Sequence, residues 1–188
     1  VINMMYTEEQ KKQIADENRK LCERFPFLVP WNRFSGKLIT ECMNGEKGYF
    51  PGNPDDIPEY DWSYTELDDL PSGWRKAFGL QMCEEIRDAL IEDGDLNRWR
   101  MVQVKEKYGS ARIYDNGHKR DSRIPDIIDK YERMSERICI VCGRPATRIT
   151  TGWICPYCDD CCPDIQWIPA AEYFGEDEGK NGSDDHGN

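Results

Sequence analysis

The sequence predicts an α+β fold, with helices packed on a small antiparallel sheet and a metal-binding lobe at the C-terminal end. Three observations predict it. Two stretches repeat apolar residues at helical spacing, two adjoining stretches alternate apolar and polar residues, and four cysteines form two C-x-x-C pairs.

The elements follow in chain order. Thr7-Glu8-Glu9-Gln10 is a capping box that opens a helix to about Arg24, with Ile14, Leu21 and Phe25 as its thin apolar stripe. Phe25–Trp31 is an extended apolar segment broken by prolines, and residues 32–62 are turn-rich, with one short strand near Lys37–Cys42. The strongest helix spans about Ser72–Glu92, where Trp74, Phe78, Met82, Ile86 and Leu90 recur every four residues and Asp93-Gly94-Asp95 stops the chain. Trp99–Lys107 and Ser110–Asp115 alternate as two strands joined through Tyr108-Gly109. Ile124, Ile127, Ile128, Tyr131, Met134 and Ile138 mark a further helix that runs straight into Cys139, so the lobe is expected to dock on that helix rather than swing free. The expected units are an α+β body (1–138), a metal-binding lobe (139–174) and a disordered acidic tail (175–188).

Cys139 and Cys142, then fifteen residues, then Cys158 and Cys161, match the spacing of a tetracysteine zinc site. Each C-x-x-C turn aims two thiolates at one ion, Gly143 supplies the small residue a knuckle needs, and Thr147–Ile154 reads as a hairpin that returns the chain to the ion. The lobe is thus zinc-ribbon-like. Four thiolates fill a tetrahedral shell and leave no position for water or substrate, so the zinc is expected to be a structural staple. Cys22, Cys42, Cys83, Cys155 and Cys162 fall outside the site and read as ordinary core or surface residues.

No catalytic constellation stands out. The two histidines, His118 and His186, sit in a turn and in the tail. There is no nucleophile elbow, P-loop or zinc-protease helix. The carboxylates between Asp61 and Asp95 could hold a divalent ion, but carboxylates at helical spacing are ordinary wet surface. The expectation is a protein that is not an enzyme. No run of eighteen apolar residues exists, so no membrane span is expected. An odd cysteine count and an N-terminus without a signal pattern point to a reducing cytoplasm.

The net charge is −11, distributed unevenly. Residues 61–98 carry 4 basic and 10 acidic side chains, whereas residues 99–138 carry 10 basic and 7 acidic. An acidic chain is repelled by phosphate at long range, which disfavours direct nucleic-acid binding as a main role. The basic stretch with Lys105, Lys107, Arg112, Lys119, Arg120 and Arg123 reads chiefly as balance for neighbouring acids. Asp68, Asp69, Glu84, Glu85 and Asp88 on the body, with Asp159 and Asp160 on the lobe, are the candidate acidic contact surface for a partner. Trp31, Trp62 and Trp167 are the candidate aromatic anchors.

Three segments carry a resemblance: Leu70–Gly79 (LPSGWRKAFG), Val104–Gly109 (VKEKYG), and the tetracysteine lobe with Gly152-Trp153-Ile154 between its pairs. Together they resemble small phage- and prophage-encoded zinc-ribbon proteins, among them a zinc-containing anti-CRISPR inhibitor of type II, Cas9-type effectors. The resemblance covers roughly residues 20–165. It implies a monomer in the host bacterial cytoplasm that binds a Cas9-type effector stoichiometrically and hinders target DNA loading. An acidic block suits a channel lined with positive charge. The alternative is a nucleic-acid-binding zinc-ribbon accessory protein of a phage or mobile element.

Overall fold

The computed structural model describes residues 6–31, Leu38 and 60–175. Helix α1 (Glu8–Arg24) opens as expected. The Gln10 amide donates to Thr7 Oγ1, and the Gln10 side chain accepts from the Thr7 amide. Its buried stripe is Asn18 and Cys22, flanked by half-buried Ile14 and Leu21. The Asn18 amide donates to the Trp62 carbonyl at 2.8 Å, tying α1 to the chain that enters the second helix. Phe25, Phe27 and Leu28 then enter the core, with Phe27 edge-on to Trp99 at 5.3 Å. The strand expected near residues 37–42 lies outside the described residues except for Leu38, which bridges Trp31. The tail beyond Gly175 also lies outside them.

Residues 72–93 form one helix, α2, in three parts: a turn at Ser72–Trp74, a π-helical turn at Arg75–Gly79, and an α-helix over Leu80–Asp93. The sequence pointed to a helix here, but not to the π turn. On an ideal α-helix a strict four-residue repeat drifts about 40° around the axis per step. The wider π turn takes back part of that drift, so Trp74, Phe78, Met82, Ile86 and Leu90 are all buried in one core. Gly94, at φ +66°, ends the helix in the left-handed conformation and donates its N–H to Leu90 and Ile91 carbonyls.

Strands β1 (Met101–Lys107) and β2 (Ser110–Asp115) form a two-stranded antiparallel ribbon with an irregularity between Met101 and Gln103. Tyr108 and Gly109 join them at φ +53° and +78°, the geometry of a tight two-residue hairpin turn. Met101, Val104, Ala111 and Ile113 line the buried face. Helix α3 (Ile124–Ser135) closes the free edge of β2: Ser135 Oγ accepts from the Ala111 amide at 2.7 Å and Glu132 accepts from the Ile113 amide at 2.8 Å. Across the core, Glu85 of α2 receives Lys130 at 2.7 Å and the hydroxyl of buried Tyr131 at 2.8 Å. Lys130, helped by Tyr131, holds the Glu85 carboxyl below its ordinary range.

The lobe is a three-stranded antiparallel sheet. Its centre is β3 (Arg148–Thr150), flanked by β4 (Pro156–Tyr157) and β5 (Trp167–Pro169), with α4 (Ala170–Tyr173) following. A hairpin does lie between the cysteine pairs, but its second strand β4 falls beyond the expected Thr147–Ile154, and β5 has no counterpart in the sequence reading. The lobe meets the body at the start of α2, at the ribbon tip, and at the end of the segment that runs from α3 into Cys139, where the Ala146 amide donates to the Arg137 carbonyl at 2.8 Å and Arg137 lies over Phe174 at 4.1 Å; the sequence pointed to the last of these alone. Gly73 donates to the Ile140 carbonyl at 2.9 Å, Ser72 Oγ to Val141 at 3.1 Å, and Trp74 Nε1 to Ile138 at 2.9 Å. A Cβ on Gly73 would stand 2.2 Å from the Cys139 oxygen and 2.6 Å from the Ile140 carbonyl carbon. Only glycine permits this approach.

Gly73→Ala should therefore destabilise the fold by at least the ~1–3 kcal/mol typical of overpacking, because backbone must move. Gly79→Ala, whose new methyl meets nothing closer than the Arg75 side chain at 3.4 Å, should be neutral or stabilising by up to ~1 kcal/mol. Urea midpoints of the two variants check the contrast.

The Glu85 cluster gives a pH dependence. A carboxyl whose folded pKa is depressed stabilises the fold fully above its unfolded pKa, near 4.3, and loses that contribution as pH falls toward the folded value. Glu85→Gln should accordingly show a shallower loss of thermal stability than the parent chain below about pH 4.3. Melting temperatures across an acid pH series are the readout.

Candidate metal centre

The two cysteine pairs are placed by matching turns. In the first, the Gly143 amide donates to the Cys139 carbonyl at 3.0 Å; in the second, the Cys162 amide donates to the Cys158 carbonyl at 3.0 Å. Gly143 and Cys162 thus hold the same position in the two knuckles, and this assigns Cys162 to closing a turn. Gly143 also takes φ +81° and lies so close to Gly73 that an added Cβ would be 2.6 Å from the Gly73 oxygen. The Cys139 amide donates to the Arg144 carbonyl at 2.7 Å, and the Ile140 amide to Pro156 at 3.0 Å, which sets the first knuckle beside β4.

These turns bring Cys139, Cys142, Cys158 and Cys161 together with their sulfur atoms all within 4.8 Å of one another. Cys142 and Cys158 sulfurs are 3.6 Å apart. That is far outside a disulfide, and close to the ~3.8 Å edge of a tetrahedron with metal–sulfur bonds of about 2.3 Å. The donor set fits a single tetrahedral ion. Cys155 is buried outside the group, its amide bonded to Thr150 Oγ1 at 3.0 Å. Burial raises its thiol pKa.

One cation attends the site. Arg144 points Nε at Cys142 sulfur from 3.5 Å and Nη2 at Cys158 sulfur from 3.3 Å, while Asp160 holds the same Nη2 at 2.6 Å. The Arg144 contacts draw the Cys142 thiol down to about 6, and the neighbouring Cys158 sulfur pushes Cys161 up to about 12. A bound divalent ion overrides both, because it deprotonates coordinating thiols outright.

The candidate acidic surface is largely paired within the chain. Asp68 pairs with Arg75, Glu84 with Arg24, Glu85 with Lys130 and Asp88 with Arg87. Asp69 is hydrogen-bonded by Tyr64. On the lobe, Asp159 binds Thr147 at 3.0 Å and Arg148 at 2.8 Å, and Asp160 binds Arg144. Among the described residues, the four cysteines are the only group of three or more potential metal ligands. His118 Nδ1 lies 2.9 Å from Asp115 in the turn after β2. Of the aromatic anchors, Trp31 and Trp62 are half-buried and Trp167 is exposed beneath Arg148 at 4.2 Å. Among the described residues, the two most exposed aromatic residues are Tyr108 and Trp153, each at 71% exposure, and the sequence reading did not single them out as anchors. A tyrosine beside glycine between two alternating segments was the available signal for the first.

No protein family, curated protein or solved structure matches this chain. Among the described residues, no helix is long and apolar enough to cross a membrane.

Cys139→Ser and Cys158→Ser should each abolish stoichiometric metal binding and unfold the lobe, since binding free energy is folding free energy at such a site. Cys155→Ser and Cys162→Ser should retain one ion per chain. Elemental analysis of the four purified variants decides between ligands and bystanders.

Proposed function

We propose that this chain is a zinc-stapled, non-catalytic inhibitor that binds a Cas9-type effector and hinders its loading of target DNA. The observation that carries the reading is the closed set of four thiolates, locked by backbone hydrogen bonds to the start of α2. Such a set binds zinc well and offers no coordination position for chemistry, so the ion serves architecture. The target comes from the resemblance of Leu70–Gly79, Val104–Gly109 and the tetracysteine lobe to phage-encoded inhibitors.

The acidic surface enters this reading with a refinement. Four of its five body carboxylates already have a basic partner in the chain. Exposed pairs of this kind contribute little stability, and their arginines and lysines can exchange partners when a more basic surface arrives. The −11 net charge supplies long-range attraction, while the paired carboxylates supply the local contacts.

Elemental analysis should return one zinc per chain. Titrated against a purified Cas9-type effector, DNA cleavage should fall to its floor near a one-to-one ratio, without dependence on preincubation time, and the block should weaken as salt rises. Charge reversal at the more exposed Glu84 and Asp88 should slow association several-fold while leaving the fold intact. Absence of any complex in a pull-down, with and without guide RNA, would overturn the reading.

A further inference from the structure

We propose that the outer face of the β1–β2 ribbon, with Tyr108 at its tip, is a contact site for single-stranded nucleic acid. The register places Gln103 opposite Tyr114, Lys105 opposite Arg112 and Lys107 opposite Ser110. None of these six strand residues is acidic, Glu106 falls on the opposite face, and Glu132 reaches in from α3 to Arg112. Of the six basic residues singled out in the 99–138 stretch, Arg112 pairs with Glu132, Arg123 with Glu92, and Lys119 with the Asp93 carbonyl. Lys105 and Lys107 have no carboxylate partner among the described residues. Lys105 lies over Tyr114 at 4.8 Å and donates only to the neutral Gln103 side chain at 3.3 Å, and Lys107 lies over Tyr108 at 5.7 Å. Unpaired cations interleaved with accessible rings are what single-strand sites use: charge tracks the phosphates while the rings stack bases.

Tyr108 supplies a second, independent reason. It occupies the left-handed region at φ +53°, where a bulky side chain is strained and where hairpin turns select Asn, Asp or Gly. Its ring is 71% exposed, so core packing does not explain the choice. Strain held at an exposed position is a feature of binding sites. Tyr114, 43% exposed, stands about 17 Å along the ribbon from the turn, room for a few nucleotides. The acidic total is no obstacle at contact range, because charges more than about 8 Å away are largely screened at physiological salt. The local charge of the face is positive.

The site does not rest on the inhibitor reading, and its test contains no effector, so either can fail alone. Fluorescence anisotropy of labelled oligothymidylate and oligouridylate, each about 12 nucleotides, with the full chain should show saturable binding at about 50 mM salt that weakens steeply as salt rises. Tyr108→Gly relieves the turn, so its thermal midpoint should equal or exceed that of the parent, yet its affinity should fall about tenfold through loss of one stacked base. Lys105→Gln with Lys107→Gln should reduce the log–log salt slope by about 1.4. No binding to either oligonucleotide, tighter binding to a duplex of the same length, or undiminished binding by Tyr108→Gly would overturn the proposal. Preference between the two oligonucleotides identifies DNA or RNA as the better ligand.

Discussion

The backbone of Cys139 and Ile140 lies against Gly73 with no space for a methyl group, and the rest of the structure depends on that approach. It sets the first knuckle on α2, and Gly143 returns the contact by crowding the Gly73 carbonyl. Trp74, at the centre of the core, spends its indole N–H on Ile138 just before the knuckle. A second point of attachment lies at the ribbon tip, where Gly109 approaches Ile154 so closely that a Cβ would sit 3.1 Å from its side chain. The lobe is therefore part of one packed unit with the body. Leu70–Gly79, Val104–Gly109 and the tetracysteine lobe are the segments that meet at these two joints.

Charge follows the same division between sum and place. Glu84, Glu85 and Asp88 of α2 are tied down by Arg24, Lys130 and Arg87, and Asp160 and Asp159 of the lobe by Arg144 and Arg148. The thiolate cluster, which would bring a zinc ion to a net −2, is faced by the Arg144 guanidinium. What remains unpaired matters most for recognition. On the ribbon two lysines have no carboxylate partner among the described residues, in a chain whose total charge points the other way.

Much of this was legible in the sequence, for local reasons. The cysteine spacing reports the metal site because each pair need only close a four-residue turn, and the Thr7–Gln10 box reports its helix start because both partners lie within one turn. The five-fold repeat from Trp74 to Leu90 reported a buried helix, and its unusual strictness becomes intelligible with the π turn. What stayed hidden is non-local or too short to show a period. Strand β5 has three residues, two of them exposed, and takes its identity from β3 alone. Gly73 reads as a weak point in a helix until its neighbour across the joint is known. The pairing of the acidic surface was likewise invisible, since Arg24 and Lys130 reach Glu84 and Glu85 from distant parts of the chain.

The start of α2 has one more property. Pro71 precedes the helix and offers no side-chain cap, so the first turn has unsatisfied amides of its own. The Gly73 amide finds its acceptor only at Ile140, and Ser72 reaches a carbonyl 69 residues further along the chain. Closing so long a loop is entropically costly and slow. A nascent chain must therefore wait for its last third before its central helix is sealed at the beginning.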